Sequence, residues 1–351
     1  MPVRSYGVTA DGTKVDLYTL GNTAGLRVQI ITYGGTIVGI EVPDRAGERA
    51  NVILTLPSLA AYMGQDSYLG ALIGRFANRI GGASFVLDGI AYQLSKNDGD
   101  NCIHGGWVGF NKAVWEVAGW VDGSGPHLRL RHVSPDGDQG FPGTVTVDVT
   151  YALSGDNTLR ISYRAQTDRA TVINLTNHTY FDLGGAACED ILDHELMLAA
   201  DFFTPVNDRL IPTGQLAAVA GTPFDFLETR RIGARIFERN DQLADGPGYD
   251  HNFVLAPSAR AEPQFAARVR EPRSGRVLEV HTTQPGLQFY SGNHLDGTLR
   301  GPLGKVYGRH TALCLEAQHF PDSPNQPGFP STILRPGKLF TSTTEYRFGI
   351  D

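Results

Sequence analysis

The chain has 351 residues, 41% of them hydrophobic, and a formal net charge of −7. This length and composition support a large buried core, and the mild acidic excess without a dense basic patch argues against a nucleic-acid partner. No apolar run approaches the roughly 18 residues of a membrane helix, so we expect no membrane partner.

Strand patterns follow one another along the chain. Runs that alternate or cluster β-branched and aromatic residues occur at 13–20, 26–42, 83–94, 145–155, 158–165, 276–283, 286–292 and 345–350. Within the third run, the Asp88-Gly89 pair predicts a hairpin turn. Because the runs are short and close together, they indicate an all-β sandwich rather than alternating strands and helices.

Helical patterns are few and short. Residues 58–65 predict one small helix with Ser58 as its N-cap. Residues 229–241 predict a second helix, because isoleucines recur there at helical spacing. No linker or shift in composition divides the chain, so we expect a single domain over residues 1–351.

The cysteines and the amino terminus bear on location. Cys102, Cys188 and Cys314 are far apart and odd in number, which disfavours a disulfide framework and favours a reducing compartment. Residues 1–12 lack the apolar segment of a secretory signal, so we expect a cytoplasmic protein. The sequence leaves open whether it is a monomer or a dimer.

Dense groups of polar and aromatic residues interrupt the strand patterns. They lie at residues 74–82, 101–115, 134–143, 174–185, 248–253, 282–293 and 314–337. Aromatic rings mixed with amides, carboxylates and guanidinium groups suit a sugar, which offers an apolar C–H face for stacking and hydroxyls that need hydrogen-bond partners. We therefore expect a sugar as the small-molecule ligand.

Two of these groups contain candidate acid–base residues. His178 lies in TNHTYF, where small hydrogen-bonding side chains could orient an imidazole, although a histidine beside two aromatic residues is more often structural. Glu316 follows the apolar run TALCL. A carboxylate in such a strand is costly unless it is paired or used, and burial would raise its pKa.

Three further residues have both a functional and a structural interpretation. Arg79 in GRFANRIGG could face a ligand or solvent, and Arg75 is the better structural arginine if Arg79 faces a site. His104 in CIHGGW could bind a ligand or cap a turn, and the two glycines after it would let the backbone approach a ligand closely. Asp250 in GYDHNF could accept two sugar hydroxyls or belong to a turn.

Other chemistries lack a sequence pattern. GRFANRIGG does not end in the GK[ST] of a phosphate-binding loop, and the chain has no HxH, HExxH or GxSxG motif. A nucleotide-phosphate loop, a zinc site and an α/β-hydrolase nucleophile are therefore unsupported, and we expect no metal.

Taken together and in order, these segments resemble the aldose 1-epimerases, also called galactose mutarotases. The resemblance covers nearly the whole chain, through YGGTIVGIEVPDRAG, GRFANRI, HGGWVGFNKAVW, SPDGDQGFPG, NLTNHTYFDLGG, GYDHNF, QPGLQFYSGN and LEAQHFPDSPNQPGFPSTILRPG. Each segment alone is a weak motif, whereas their joint occurrence in this order is specific.

The resemblance implies a fold, a reaction and a set of site residues. The fold is a supersandwich of large twisted antiparallel sheets, and the reaction interconverts the α and β anomers of a free aldose, so the resemblance implies a monosaccharide as the small-molecule substrate. In that family the glutamate matching Glu316 is the general base and the histidine matching His178 is the general acid. The positions that match sugar-contacting residues are Asn78, Arg79, His104, Asp250 and Gln288. As further candidate walls of the site we add Tyr180, Phe289 and Trp107.

The reaction explains why these residue types are needed. A pyranose opens when the C1 hydroxyl loses a proton and the ring oxygen gains one, and rotation about C1–C2 before reclosure gives the other anomer. One base and one acid each supply roughly 10²–10⁴-fold. No redox step or hydrolysis occurs, so no cofactor is expected.

Three alternatives share the same residues. A glycoside hydrolase would need two carboxylates across one bond, for which Asp250 and Glu316 could be proposed. A sugar-binding protein without catalysis would not need both Glu316 and His178. An epimerase acting on hexose 6-phosphates would need a cluster of Lys and Arg for the phosphate, and the sequence shows no extra one.

Overall fold

Antiparallel strands dominate the computed structural model, which describes residues 2–123, 125–185, 188–244 and 248–351. The first strands are β1 (Val3–Val8), β2 (Lys14–Gly21), β3 (Arg27–Ile31), β4 (Ile37–Pro43), β5 (Arg49–Asn51), β6 (Leu72–Ile73), β7 (Arg79–Ile80), β8 (Ser84–Leu87), β9 (Ile90–Gln93), β10 (Cys102–Ile103), β11 (Glu116–Val121), β12 (His127–Ser134), β13 (Val145–Leu153) and β14 (Thr158–Thr167). The later strands are β15 (Thr171–Val172), β16 (Thr176–Asn177), β17 (Tyr180–Phe181), β18 (Glu195–Leu198), β19 (Phe202–Phe203), β20 (Ala217–Ala218), β21 (Arg230–Arg231), β22 (Asp250–Val254), β23 (Gln264–Arg270), β24 (Arg276–Thr282), β25 (Gly286–Tyr290), β26 (Leu313–Gln318), β27 (Ile333–Leu334) and β28 (Phe340–Ile350). The described α-helices are α1 (Leu59–Met63) and α2 (Asp241–Ala244), and several single 3₁₀ turns occur between strands.

Three large sheets contain most of the strands, and four further pairs of short strands form two-stranded sheets. The largest has nine strands in the order β11-β12-β13-β14-β28-β24-β23-β18-β21. A six-stranded sheet has the order β17-β26-β25-β22-β19-β20, and a five-stranded sheet runs from β1 to β5 in sequence. Neighbouring strands pair in antiparallel fashion, as in β13–β14 and β25–β26. The prediction of an all-β fold with few short helices is confirmed.

The largest apolar cluster takes in residues of the nine-stranded, six-stranded and five-stranded sheets. Alternate residues of β13 from Val145 to Leu153 are buried, which is the period of two expected of a strand with one face inward. They share one apolar cluster with Phe253 and Phe289 of the six-stranded sheet. Each fully buried side chain of this kind contributes about 1.5–3 kcal/mol, so this shared core holds the two sheets together.

The predicted hairpin turn and the first predicted helix are both present. Asp88 and Gly89 both have positive φ, 52° and 79°, as a two-residue hairpin turn between β8 and β9 requires, so that prediction is confirmed. The first helix is also confirmed, because the Ser58 hydroxyl accepts a hydrogen bond from the backbone N–H of Ala61 at 3.3 Å and caps α1.

The helix predicted over 229–241 is wrong. Strand β21 and a single 3₁₀ turn, Ile232–Ala234, occupy the first part of this segment, turns and irregular backbone follow, and α2 begins only at Asp241. The backbone N–H groups of Ile232 and Gly233 donate to carbonyls at positions 194 and 192 instead of continuing a helix. A glycine inside a helix also costs about 1 kcal/mol, so the tertiary pairing prevails over the isoleucine spacing.

The six-stranded sheet places the candidate residues on one face. Asp250 pairs with Tyr290 across β22 and β25, and Gln288 pairs with Glu316 across β25 and β26. Because side chains alternate along a strand, Asp250, Gln288 and Glu316 point to the same side of the sheet. Phe289, between Gln288 and Tyr290, therefore points to the opposite side, into the core.

Candidate active site

A cavity of about 140 Å³ lies over the polar face of the six-stranded sheet. It is lined by Asp66, Ser67, Tyr68, Asn78, Arg79, Ile103, His104, His178, Tyr180, Asp250, Tyr290, His294, Leu295 and Glu316. The predicted catalytic and sugar-contacting residues are all in this lining except Gln288. That residue lies directly behind it, because its side-chain amide donates to Oδ1 of Asp250 at 2.7 Å.

Glu316 forms part of the floor of the cavity. Its side chain is 2% exposed, and Oε1 lies 3.6 Å from Nε2 of His178. Its other oxygen, Oε2, is buried without a hydrogen-bond partner among the described residues. Burial raises the pKa of Glu316 well above its usual value, the negative charge of Asp250 adds to this rise, and the positive charge of Arg79 opposes it.

His178 is held in place on several sides. Its backbone N–H donates to the carbonyl of Ala71, and its own carbonyl accepts from Gly70, both at 2.9 Å. The imidazole stacks on Tyr180, with ring centres 5.0 Å apart, and on Tyr68, at 5.9 Å. Burial lowers the pKa of His178 to about 4, so the free protein holds a neutral imidazole at neutral pH.

His104 faces His178 edge-on, with ring centres 5.2 Å apart. Its Nδ1 accepts a hydrogen bond from the backbone N–H of Asn78 at 3.2 Å. A nitrogen that accepts this bond cannot also carry a proton, so the neutral ring carries its hydrogen on Nε2. Burial lowers the pKa of His104 well below its usual value, and the nearby His178 and Arg79 lower it further.

Strained backbone gathers at this cavity. Tyr68, Asn78 and His104 have φ angles of 58°, 63° and 51°, in the left-handed region that residues with side chains rarely adopt. Such conformations cost of order 1–3 kcal/mol each and persist when the surroundings enforce them. Their clustering around one polar cavity is an independent indication of a functional site.

Arg79 lies between two carboxylates. Its Nε is 2.8 Å from Oδ2 of Asp98, and its guanidinium is 3.8 Å from Oδ2 of Asp250. Sequence reasoning missed Asp98, because the stretch NDGD reads as a turn. Its position just before the CIHGGW segment could have indicated it, because that segment folds back against β7.

Of the three residues added as candidate walls, only one lines the cavity. Tyr180 lines the cavity, whereas Phe289 and Trp107 do not. Phe289 is fully buried in the core on the other face of the sheet, and Trp107 is 59% exposed outside the cavity lining. The predictions for these two residues are therefore wrong, the first because of strand alternation and the second because the loop turns its indole outward.

The glycine pair after His104 serves the protein's own packing. A Cβ at Gly105 would lie 2.1 Å from the carbonyl oxygen of Gly74, and one at Gly106 would lie 2.7 Å from Oε1 of Gln139. These glycines therefore let the loop pack closely against its neighbours. The expectation that they let the backbone approach a ligand is not supported.

Arg75 is structural, as predicted. Its guanidinium is buried and donates to the carbonyls of Ser134, Pro135, Pro142 and Gly143 at 2.7–3.1 Å. These bonds tie the loop before β13 to the segment that carries Arg79.

Two groups among the described residues have the side chains to bind a metal ion. One is His104, His178 and Glu316, whose ligand atoms lie within 4.8 Å of one another. Metal-binding histidines usually donate their second ring N–H, whereas Nδ1 of His104 accepts one. Its Nε2 therefore carries a hydrogen where a metal would need a lone pair, and the set does not suit a metal.

The second group is Asp182, Cys188 and His194. Nε2 of His194 already accepts the backbone N–H of Leu183 at 3.1 Å. The ammonium of Lys305 lies 3.1 Å from Asp182 and neutralises its carboxylate. Both contacts compete with a metal ion, so this group also does not suit one.

Comparison with known proteins agrees with this geometry. The model of the family described as "Aldose 1-epimerase" matches residues 16–347 of the chain. The chain belongs to the aldose 1-epimerase family. It is thus an isomerase, and the resemblance inferred from its sequence is confirmed.

Relatives in this family are similar over most of their length. The galactose mutarotase of Sus scrofa is 46% identical over 325 residues, covering 93% of this chain and 92% of that protein. The aldose 1-epimerase of Escherichia coli (strain K12) is 39% identical over 341 residues, covering 96% of both.

Solved structures show that this member of the aldose 1-epimerase family has the expected supersandwich fold. The galactose 1-epimerase of Lactobacillus acidophilus NCFM matches with a TM-score of 0.86 at 31% identity, covering 99% of this chain and 98% of that one. An aldose epimerase homologue from C. elegans matches with a TM-score of 0.87 at 27% identity, covering 95% and 98%. No helix among the described residues is long and apolar enough to span a membrane.

Proposed function

We propose that this protein interconverts the α and β anomers of free aldoses such as galactose and glucose, with Glu316 and His178 exchanging protons with the sugar. Membership of the aldose 1-epimerase family supports anomer interconversion as the reaction class. The observation that carries the assignment of residues is the 3.6 Å approach of Nε2 of His178 to Oε1 of Glu316 inside a cavity lined by hydrogen-bonding groups. We treat residues 1–351 as one domain, since sheets from both halves of the chain share one core.

The proposed reaction has two proton transfers at one hemiacetal. Glu316 accepts the proton of the C1 hydroxyl while His178 donates a proton to the ring oxygen, and the bond between C1 and the ring oxygen breaks to give an aldehyde. After rotation about C1–C2, His178 takes back the proton from the C5 hydroxyl, the ring closes, and Glu316 returns its proton to the new C1 hydroxyl. The enzyme ends in its starting state.

Burial of the pair favours the middle of this cycle. In the free protein the single proton of the pair is on Glu316, and it passes to Nε2 of His178 when the sugar binds. With the ring closed, the pair is then a carboxylate and an imidazolium; with the chain open, it is a neutral acid and a neutral imidazole. Burial raises the pKa of Glu316 and lowers that of His178 to about 4, and both shifts favour the neutral pair. The site therefore stabilises the protonation state that accompanies the high-energy aldehyde.

The other residues take positioning roles. His104 presents a fixed Nε2–H, so it donates a hydrogen bond to a sugar oxygen and leaves the acid role to His178. Arg79 and Asp250 bind hydroxyls away from C1, and Gln288 orients Asp250. Contacts far from C1 keep the open chain bound while C1–C2 rotates.

The groove beside the cavity disfavours phosphorylated sugars. It is lined by Arg79 and Arg209 but also by Asp98, Asp100 and Asp208, so its carboxylates outnumber its guanidinium groups. A phosphate would meet net negative charge there. Free aldoses are accordingly the better substrates.

Polarimetry with freshly dissolved galactose, glucose, xylose and arabinose tests the function. The protein should speed the approach to anomeric equilibrium, and Glu316→Gln should lower kcat by roughly 10²–10⁴-fold while sugar binding is retained. Wild-type rates in this variant would contradict the assignment of the base. Failure to speed any of the four sugars would contradict the function.

A further inference from the structure

The turn that carries Asp98 is fixed to the strand that carries Arg79. Ile103 of β10 pairs with Arg79 of β7. On one side of the turn, the side chain of Asn97 donates to the carbonyl of Ile103 at 2.9 Å and accepts its backbone N–H at 2.8 Å. On the other side, Oδ1 of Asn101 accepts a backbone N–H of the 3₁₀ turn after β7 at 3.1 Å. Asp98 therefore keeps a fixed place relative to Arg79.

This placement engages one particular nitrogen of the Arg79 guanidinium. Nε of Arg79 donates to Oδ2 of Asp98 at 2.8 Å. A guanidinium also has N–H groups on its terminal nitrogens, and these remain for other partners. Arg79 lines the cavity, whereas Asp98 is absent from its lining. Asp98 can therefore affect a sugar in the cavity through Arg79 rather than by touching it.

On the cavity side, Arg79 faces a second carboxylate without a hydrogen bond to it. Its terminal nitrogen lies 3.8 Å from Oδ2 of Asp250, which is beyond hydrogen-bond range. Oδ1 of Asp250 already accepts from Gln288 at 2.7 Å, so Oδ2 is the oxygen left for a sugar hydroxyl. Arg79 and Asp250 are both buried. Opposite charges attract more strongly there than in water, so an unrestrained Arg79 would close on Asp250.

We propose that Asp98 is a positioning residue that holds Arg79 back from Asp250, so that both remain available to sugar hydroxyls. This inference rests on the proposed function, in which Arg79 and Asp250 bind the sugar. A direct bond between Arg79 and Asp250 would satisfy both charges within the protein, and a sugar would have to break that bond in order to bind. Because both residues act away from C1, loss of the restraint should raise KM rather than lower kcat.

Two substitutions at position 98 test the restraint in the sugar-free protein. Asp98→Asn keeps an oxygen that can accept the Nε–H of Arg79, and Asp98→Ala removes it. Both leave the backbone hydrogen bonds between Asp98 and Asn101, which shape the turn, in place. In a crystal structure of Asp98→Ala, a terminal nitrogen of Arg79 should lie about 2.7–2.9 Å from Oδ2 of Asp250. In the wild type and in Asp98→Asn, the 3.8 Å separation should remain.

Kinetics with galactose provide the second readout. Asp98→Ala should raise KM about tenfold and change kcat less than about threefold, whereas Asp98→Asn should keep KM within about threefold of the wild type. Asp148→Ala is the matched control. Oδ1 of Asp148 accepts from Nε of Arg131 at 3.0 Å, so this variant removes the same kind of ion pair outside the cavity lining. It should change neither KM nor kcat.

An Asp98→Ala protein in which Arg79 stays apart from Asp250 would overturn the proposal. So would a KM in that variant within about threefold of the wild type, or a loss confined to kcat. The sugar-free structures separate this inference from the function. If the wild-type protein turned over no aldose, the proposed function would fail, while the position of Arg79 in Asp98→Ala would still decide whether Asp98 restrains it.

Discussion

Replacing Glu316 by glutamine should stabilise the protein while it abolishes turnover. The side chain is buried, and its Oε2 has no hydrogen-bond partner among the described residues, so the ionised carboxylate is poorly compensated. Glutamine keeps the shape and removes the charge. Avoiding the burial of that charge is worth about 1–3 kcal/mol in the free energy of unfolding at alkaline pH.

The effect should depend on pH with a definite sign. The pKa of Glu316 is raised above its ordinary value of 4.5, so the folded protein binds more protons at this position than the unfolded chain does. The contribution of Glu316 to the free energy of unfolding of the wild type is fully present below pH 4.5. It is lost as the pH rises toward the raised pKa. The advantage of Glu316→Gln should therefore grow over this range and then level off.

Urea denaturation between pH 5 and 9, at about one-unit steps, measures this difference. Repeating both proteins in a His178→Asn background removes the titration of the neighbouring imidazole. Glu345→Gln is the matched control, because that buried carboxylate pairs with Arg160 at 2.5 Å and Arg347 at 2.6 Å and its loss should destabilise. An advantage of Glu316→Gln that is absent, or that shrinks as the pH rises, would refute the reasoning.

Further predictions concern activity. The pKa of His178 is lowered to about 4 and that of Glu316 is raised, so kcat/KM should fall below about pH 4 and above the raised pKa of Glu316; a flat profile across both ranges would contradict this. His104→Gln should lower kcat/KM about tenfold without moving either limb of the profile, because its Nδ1 stays unprotonated; a moved limb would give it an acid role. Gln288→Leu should raise KM about threefold to tenfold with little change in kcat, because Asp250 loses its 2.7 Å donor; an unchanged KM in polarimetric assays would remove Gln288 from the site. Glucose 6-phosphate should be turned over at least roughly tenfold less efficiently than glucose, and equal kcat/KM values would show that the acidic groove does not select.

The sequence predicted the strands because their side chains alternate, and the same alternation decides Phe289. Once Gln288 faces the site, its neighbour must face the core, so that error could have been avoided from the sequence. The helix predicted over 229–241 could not be corrected in this way. Pairing of Ile232 and Gly233 with a distant segment decides their conformation, and a local pattern does not contain that partner.

The site residues also divide into those that sequence patterns predict and those that depend on contacts made by the folded chain. His178 and Glu316 were predicted because the segments that carry them occur jointly with the others in a specific order, whereas Asp98 enters through a contact that the sequence pattern does not show. Asp98 meets Arg79 across 19 positions. Such pairs depend on how the loops fold back on the sheet, which spacing in the sequence does not encode.

The central claim is that one carboxyl group and one imidazole serve opposite ends of the same hemiacetal. A crystal structure of the Glu316→Gln variant with galactose bound tests it most directly, because turnover is blocked and the shape of the site is kept. The account predicts the residue 316 side chain within about 2.6–3.2 Å of O1, and Nε2 of His178 at the same distance from the ring oxygen. A sugar bound with C1 away from either group, or with both groups on hydroxyls remote from C1, would contradict it.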